Sequence, residues 1–318
     1  ANVGADPDEA NRRFREREGN QQSAVAVAET PPADLGSAPA ESIRKQLSTI
    51  ARRQVRLVVS DRGYSVFLAV LPFLIGALSL TVEGKTGFGI ADPRGSAPTE
   101  PGNLMVLLNL GAVFMGTALT IRDLVGERPI FQREQAVGLS TMAYLLAKSA
   151  VFCLFATAQA GIATLITILG KGAPTQGAVF FGKGHIAASF ELFLTVAATC
   201  VASAMIGLAL SALARSTEQI MPLLVVSIMS QFVLAGGLIP VTGRLGLDQL
   251  SWLMPARWGY AASASTVDIS KLMPGNPEIP DDSHWKHTHG AWLLDMGMLA
   301  VLSVAYGGFS RWKIRLKR

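Results

Sequence analysis

Six long runs of apolar residues divide this sequence, and they limit what it can fold into more than any other feature does. They cover about residues 64–82, 104–121, 145–169, 186–213, 220–239 and 291–309. Each run reaches the length of about 17 to 25 residues that an α-helix needs to cross a bilayer. Because a chain inside lipid must satisfy its backbone hydrogen bonds internally, we predict an all-α membrane protein with six transmembrane helices.

Composition and charge agree with this fold class. The 318 residues are 50% hydrophobic and 16% charged, which is too apolar for a soluble globule. With the N-terminus inside, sixteen Lys and Arg fall in the cytoplasmic segments and eight in the longer opposite loops. The positive-inside rule therefore predicts a multi-pass protein of the plasma (inner) membrane with both termini in the cytoplasm. This topology accounts for the net charge of +5, and we expect no nucleic-acid partner.

The chain before the first run divides into two parts. Residues 1–40 are polar, and residues 19–40 are rich in Ala, Pro, Ser and Gly, a composition that favours a disordered linker. The chain opens with Ala1, so we expect it to be the C-terminal part of a longer polypeptide, with a disordered tail as the alternative. Residues 41–62 place apolar residues at helical spacing beside Lys and Arg, which predicts an interfacial connecting helix. The six-span domain then covers residues 63–318.

The longest charged interruption between two apolar runs covers residues 122–140, RDLVGERPIFQREQAVGLS. Three Arg stand against three acidic residues there, with apolar residues between them. A segment held by anionic lipid would carry an excess of positive charge, whereas balanced charges suit a protein partner. We therefore predict that this segment binds another protein domain. We interpret Lys148, near the inner end of the third run, as a side chain that extends to the membrane surface.

The longest predicted external segment covers residues 240–290. Its first half is too apolar for a plain loop and too broken by Pro and Gly for a span, so we predict short re-entrant or interfacial helices. Its second half carries three histidines, His284, His287 and His289. Such a cluster could bind zinc or copper or sense pH, but its spacing matches no standard metal site. We expect a polar loop and no metal site.

Two acidic residues fall inside apolar runs, Glu191 in the fourth and Asp295 in the sixth. Carboxylates within a membrane are candidates for proton carriers, and structural pairing is the alternative. The segment GAVFFGKG has the spacing of a phosphate loop up to Lys183, but Gly184 stands where Ser or Thr would coordinate magnesium. We interpret it as a glycine-rich turn. No catalytic site is recognisable, and we expect no cofactor to bind these residues.

Three motifs carry a family resemblance: GERPIFQREQAVGLSTMAYLLAK between the second and third runs, AGGLIP at the end of the fifth, and LSWLMPARWGYAA after it. Together they are similar to the permease domains of ABC transporters of the G subfamily, the White and pleiotropic-drug-resistance type. The resemblance covers about residues 41–318. It implies a bacterial half-transporter with a cytoplasmic coupling helix and an external re-entrant segment. It also implies a nucleotide-binding domain earlier on the same chain, which would bind ATP and Mg²⁺.

The resemblance nominates residues for two roles. Coupling to the ATPase domain falls to Glu127, Arg128, Phe131, Arg133 and Glu134. Two half-transporters would pair as a homodimer, and substrate would pass between the second and fifth spans. The residues nominated for that path are Asn109, Phe114, Thr117, Ser227, Gln231, Phe232 and Leu234.

We therefore expect the transmembrane half of an ATP-driven exporter, coupled through residues 122–140. Its substrate would be amphipathic or lipid-linked and would leave the cytoplasm or the inner leaflet, with membrane lipid as a further partner. Two alternatives stay open. One is a proton-coupled secondary transporter or channel that uses Glu191 or Asp295, and the other is a membrane anchor for an upstream domain.

Overall fold

The computed structural model describes residues 8–9, 11–16, 43–274 and 282–315. The chain divides into two units, residues 1–41 and 42–318. In the first unit the described residues, 8–9 and 11–16, are helical, and the rest of the linker predicted over residues 1–40 lies outside the described part. All elements below belong to the second unit.

Eleven α-helices follow one another in the described part of the second unit. They are α1 (Ile43–Ser60), α2 (Arg62–Leu80), α3 (Glu100–Thr120), α4 (Asp123–Ala136), α5 (Thr141–Lys171), α6 (His185–Leu213), α7 (Ile220–Leu234), α8 (Leu247–Ser251), α9 (Pro255–Val267), α10 (Ile269–Leu272) and α11 (His289–Ile314). Six segments are long and apolar enough to cross a membrane: α2, α3 continued by α4, α5, α6, α7 with its preceding turn, and α11. No strand occurs within the described ranges. The prediction of an all-α protein with six transmembrane helices is confirmed.

Several helices begin at a polar residue placed directly before an apolar run. Asp61 accepts a hydrogen bond from the Tyr64 amide at 3.1 Å before α2, and Thr288 accepts one from the Ala291 amide at 3.3 Å before α11. Such caps satisfy amides that have no partner inside the helix, which matters most where the helix enters lipid. The sequence therefore sets where these spans begin.

The helices α3 and α6 form the centre of the bundle. In the most apolar stretch of each, 78% of the residues are buried, against 28% in α2, 17% in α7 and 22% in α11. Glycine lets the two helices approach closely, because a Cβ atom on Gly116 would collide with the carbonyl oxygen of Cys200. Thr120 adds a hydrogen bond from its hydroxyl to the Ala204 carbonyl at 2.7 Å. The outer helices leave broad apolar faces exposed, as expected for a surface in contact with lipid.

The segment predicted to hold re-entrant helices contributes α9 to the interior. Every residue of Pro255–Val267 is buried, and the helix packs against α3, α6 and α11. The chain reaches α9 through the short helix α8 and leaves it at Asp268, a left-handed residue with φ 55°. We refer to the end of the bundle that carries α4 as the α4 end, and to the end that carries α8 to α10 as the opposite end.

We expect Gly116→Ala to destabilise the protein by roughly 1–3 kcal/mol, because the new methyl group would force the backbones of α3 and α6 apart. Thermal unfolding of the purified protein in detergent would measure the effect. Gly297→Ala in α11 is the matched control, since its Cβ atom would meet nothing within 4 Å. A melting temperature of Gly116→Ala equal to that of the wild type would contradict the close contact of α3 with α6.

Candidate functional site

A buried cation joins α5 to α4 at the α4 end. The ammonium nitrogen of Lys148 lies 2.6 Å from Oδ2 of Asp123 and 3.0 Å from Oε2 of Glu127, and 1% of the Lys148 side chain is exposed. The other carboxylate oxygen of Asp123 accepts a hydrogen bond from Gln54 of α1 at 2.8 Å. The interpretation of Lys148 as a side chain that extends to the membrane surface is therefore wrong. It points inward because α4 folds back and brings two carboxylates within reach.

Arg53 of α1 extends this network to the far end of α4. Its guanidinium lies 2.6 Å from Oε1 of Glu134 and 3.5 Å from Oε2 of Glu127. The hydroxyl of Tyr144 donates to Glu127 at 3.2 Å. The Arg53 side chain is 34% exposed, so its pairs contribute less than the buried pairs of Lys148. We call Arg53, Asp123, Glu127, Glu134 and Lys148 the coupling network, and it holds α1, α4 and α5 together.

The coupling network shows which charges of residues 122–140 are paired within the protein. All three acidic residues of this segment pair with cations on α1 and α5, outside the segment. Arg122 and Arg133 are exposed, and neither forms an ion pair with another described residue. The charge balance seen in the sequence therefore does not form within the segment, and two arginines lie at the surface, Arg122 just before α4 and Arg133 within it.

The five residues nominated for coupling thus have four different environments. Glu127 and Glu134 belong to the coupling network. Phe131 is 4% exposed and stacks on Tyr144 with ring centroids 4.3 Å apart, and Arg128 donates to the Ala212 carbonyl at the end of α6 at 2.9 Å. Only Arg133 is directed to the surface without such a contact among the residues described.

Three of the seven residues nominated for a substrate path share one narrow cavity between α3, α7 and α9. Asn109, Gln231 and Phe232 line it, and its volume is about 10 Å³, room for about one water. The Asn109 side chain donates to the Ala256 carbonyl at 2.8 Å, so α9 closes one side. The Gln231 side-chain oxygen is buried with no hydrogen-bond partner in the described protein.

The other four nominated residues do not line this cavity. Thr117 is fully buried and donates to the Val113 carbonyl at 2.8 Å within α3, next to α6. Phe114 packs into the main core, Leu234 is 8% exposed, and Ser227 lies one turn before Gln231. Of the seven nominated residues, the structure therefore places only Asn109, Gln231 and Phe232 around one cavity.

Glu191 holds the glycine-rich turn at the opposite end. Its side chain is fully buried, and it accepts hydrogen bonds from the backbone amides of Val179 at 3.0 Å and Phe180 at 2.8 Å. The Thr266 hydroxyl of α9 donates to it at 3.0 Å. A carboxylate of the same chain therefore occupies these amides of the glycine-rich turn. Glu191 therefore fastens the turn to α6 and α9.

Asp295 belongs to a second buried group at that end. Its carboxylate is fully buried, with Oδ1 3.3 Å from Nδ1 of His284. The nearby Asp295 carboxylate raises the pKa of His284, while burial opposes the shift. Beside this pair, Arg257 contacts Asp282, and Thr242 donates to Asp282 at 2.6 Å. Burial would raise the pKa of Asp282, but hydrogen bonds from Thr242, the His284 amide and Arg257 lower it overall.

The three histidines of residues 284–289 contact different partners. Nδ1 of His287 lies 2.7 Å from the Ser265 carbonyl, whereas His289 packs against Phe180 with ring centroids 5.9 Å apart. In the part of the chain that the structure describes, no group of three or more His, Cys, Asp or Glu side chains is placed to hold a metal ion.

Sequence reasoning did not find the partners of the buried lysines. Besides Lys148, Lys171 at the end of α5 pairs with Glu100 at 2.8 Å, and both side chains are at most 8% exposed. One signal was present in the sequence, since a lysine inside or beside an apolar run needs a counter-charge. Choosing that carboxylate among several required the fold.

Comparison with known proteins gives two matches. Residues 45–267 match the family described as ABC-2 type transporter. The chain is also 62% identical over 315 residues, 99% of its length, to the ABC transporter ATP-binding/permease protein Rv1747 of Mycobacterium tuberculosis (strain ATCC 25618 / H37Rv). It spans 36% of the length of that relative.

We expect Lys148→Met to lower the free energy of unfolding by about 3–5 kcal/mol, because it leaves two carboxylates partly buried without their cation. Chemical or thermal unfolding in detergent would measure the loss. The double variant Lys148→Met/Asp123→Asn should recover part of it, since one of those charges is then removed. A single variant as stable as the wild type would contradict the burial of this pair.

We expect Glu191→Gln to speed hydrogen–deuterium exchange at the amides of Val179 and Phe180, because the neutral amide group cannot accept all the hydrogen bonds that the carboxylate accepts. Exchange measured by mass spectrometry on peptides from residues 177–184 would report it. Glu83→Gln, at an exposed position in another loop, is the control and should change nothing there. Unchanged exchange in Glu191→Gln would mean that the turn does not depend on the carboxylate.

Proposed function

The chain belongs to the ABC-2 type transporter family of membrane domains, and on that premise we propose that it is the transmembrane half of an ATP-driven exporter. The earlier resemblance to ABC permease domains is confirmed at the level of the family. The name of the relative, ATP-binding/permease protein, joins an ATP-binding part and a permease part in one protein, which supports a nucleotide-binding domain as the partner. That domain would hold ATP and Mg²⁺.

The coupling network is the observation that carries this proposal. A force applied to α4 can reach the membrane helices only if α4 is held rigidly to them. Lys148, 1% exposed, ties the start of α4 to α5, and Arg53 ties its far end to α1. Arg128 adds a hydrogen bond to the end of α6. The helix is therefore fastened to three neighbours while Arg133 remains on its outer surface.

We propose that α4 is the coupling helix and that the α4 end is cytoplasmic. Nucleotide binding can shift the bundle between inward-open and outward-open forms only if the ATPase domain interacts differently with the two. Arg133 would contact that domain, and the coupling network would transmit the movement to α5 and α1. The excess of Lys and Arg in the segments at this end supports the orientation.

We further propose that two copies pair and that the substrate passes between α3 and α7. The cavity lined by Asn109, Gln231 and Phe232 is too small for a substrate, so the path would open by movement of these helices. The apolar stretch of α7 is 17% buried, which leaves a face for a second copy. An amphipathic or lipid-linked substrate fits a path with few polar side chains. Glu191 accepts four hydrogen bonds inside the protein, a pattern that favours a structural role over proton transfer.

We expect ATP with vanadate to change hydrogen–deuterium exchange in α4 of the full-length protein in nanodiscs, and we expect Arg133→Glu to reduce this change several-fold. The charge reversal would repel the proposed partner surface, and it removes no ion pair among the described residues, so the fold should persist. Lys183→Glu, an exposed residue at the opposite end, is the matched control. If hydrogen–deuterium exchange in α4 of the wild type does not change on addition of ATP with vanadate, the coupling role is wrong.

The energy source can be tested separately with a fluorescent phospholipid analogue in inverted vesicles. Uptake that follows ATP and persists with a protonophore would support an ATP-driven exporter. Uptake that collapses with the protonophore while ATP stays high would favour the proton-coupled alternative, with Asp295 as the first residue to change.

A further inference from the structure

A second cavity, of about 370 Å³, opens at the α4 end between α4, the end of α6 and the end of α11. Four basic residues line it: Arg128, Arg215, Lys313 and Arg315. Part of the remaining wall is apolar and includes Leu124, Phe131 and Ile314. Its volume falls within the range of about 300 to 1,000 Å³ that is usual for small-ligand sites. The coupling role proposed for α4 uses Arg128, in the wall of this cavity, as a contact to α6, but it assigns no ligand to the cavity itself.

The cavity is strongly positive. Within residues 43–274 and 282–315, no carboxylate lines it and none of its four basic residues forms an ion pair. The reason lies in the coupling network, which turns Asp123, Glu127 and Glu134 toward α1 and α5. The opposite side of α4 is left with Arg128, held in place by the Ala212 carbonyl at 2.9 Å. Fixed cations in a concave site attract an anion.

The position of the cavity relative to the membrane indicates which kind of anion it can bind. The walls include the last residues of two membrane-spanning helices, α6 and α11, so the cavity lies at the depth of lipid headgroups. One turn away, Trp312 is 69% exposed, with its ring 5.8 Å from that of Phe309. Aromatic side chains of this kind are typical of the boundary between headgroups and hydrocarbon. A ligand at this depth can combine an anionic group with an apolar chain.

We propose that this cavity binds the phosphate headgroup of an anionic phospholipid. The four basic residues would neutralise the phosphate, and the wall formed by Leu124, Phe131 and Ile314 would contact the first carbons of the lipid. The proposal goes beyond ATP-driven export, because lipid binding here requires neither nucleotide nor substrate. It would make the position of α4 sensitive to the charge of the surrounding lipid.

The test uses the full-length protein in detergent and dioleoyl phosphatidylglycerol as the probe, with binding measured by native mass spectrometry. The variant Arg215→Gln/Lys313→Gln/Arg315→Gln should bind this lipid at least roughly tenfold more weakly, because each basic residue near a lipid surface contributes measurably to binding. Arg128 is left unchanged because it supports α6. The matched control, Lys85→Gln/Lys183→Gln/Arg244→Gln, removes the same charge from exposed sites at the opposite end and should bind as the wild type does.

Two comparison ligands distinguish a lipid headgroup from a soluble phosphate as the group that binds in the cavity. Dioleoyl phosphatidylcholine, which has no net charge, should bind weakly and equally to all variants. Glycerol 3-phosphate, which has no chain, should compete poorly with phosphatidylglycerol. Equal affinity for glycerol 3-phosphate and the lipid would overturn the assignment to a lipid and leave a site for a soluble phosphate.

Other results would overturn the site itself. Unchanged phosphatidylglycerol binding in the triple variant would do so, as would an equal loss in the control. If lipid binding is unchanged but the response of α4 to nucleotide is lost, the cavity receives the ATPase domain instead. Lys313→Gln alone covers the case in which the triple variant does not fold: we expect a smaller loss of binding, which Lys313→Arg should restore.

Discussion

The pairing of Lys148 with Asp123 and Glu127 is the interaction on which the α4 end depends. An ammonium group that is 1% exposed at the end of a membrane-spanning helix is stable only with a counter-charge, and α4 supplies two carboxylates. This requirement sets the rotation of α4. Once its acidic residues face α5 and α1, Arg133 lies at the surface and Arg128 reaches the end of α6. The proposed contact with an ATPase domain and the basic cavity both follow from that orientation.

The same physical rule operates at the opposite end with other residues. Lys171 pairs with Glu100, Arg257 with Asp282, and Glu191 binds the amides of the turn before α6. The middle of the bundle has no such charges among its described contacts and is held by close packing, as where Gly116 meets the backbone of α6. Buried polar contacts thus fasten the ends of the helices, while small residues set the distance between their centres. A transport movement would have to preserve the polar contacts at the helix ends. The helices would slide against each other where small residues set the distance between their centres.

The sequence predicted the six spans well, because crossing a bilayer depends on hydropathy summed over about twenty residues and tolerates errors at single positions. Side-chain directions were harder to predict. Asn109 and Thr117 were both assigned to one path, yet eight residues along an α-helix correspond to a rotation of about 80°. Asn109 therefore contacts α9, while Thr117 lies beside α6. The interpretation of Lys148 was wrong because its partner is distant in the chain. Asp123 is 25 residues away and approaches Lys148 only when α4 folds back.

The sequence by itself determined the fold class, the number of spans and the family, since each follows from composition or from local order of residues. Tertiary structure alone decided which charges neutralise each other. The charges within residues 122–140 balance in number, but three-dimensional packing pairs the acidic residues with cations on α1 and α5 and leaves Arg122 and Arg133 exposed. The physical reason is that electrostatic energy depends on distance and burial, which the order of residues in a chain does not specify.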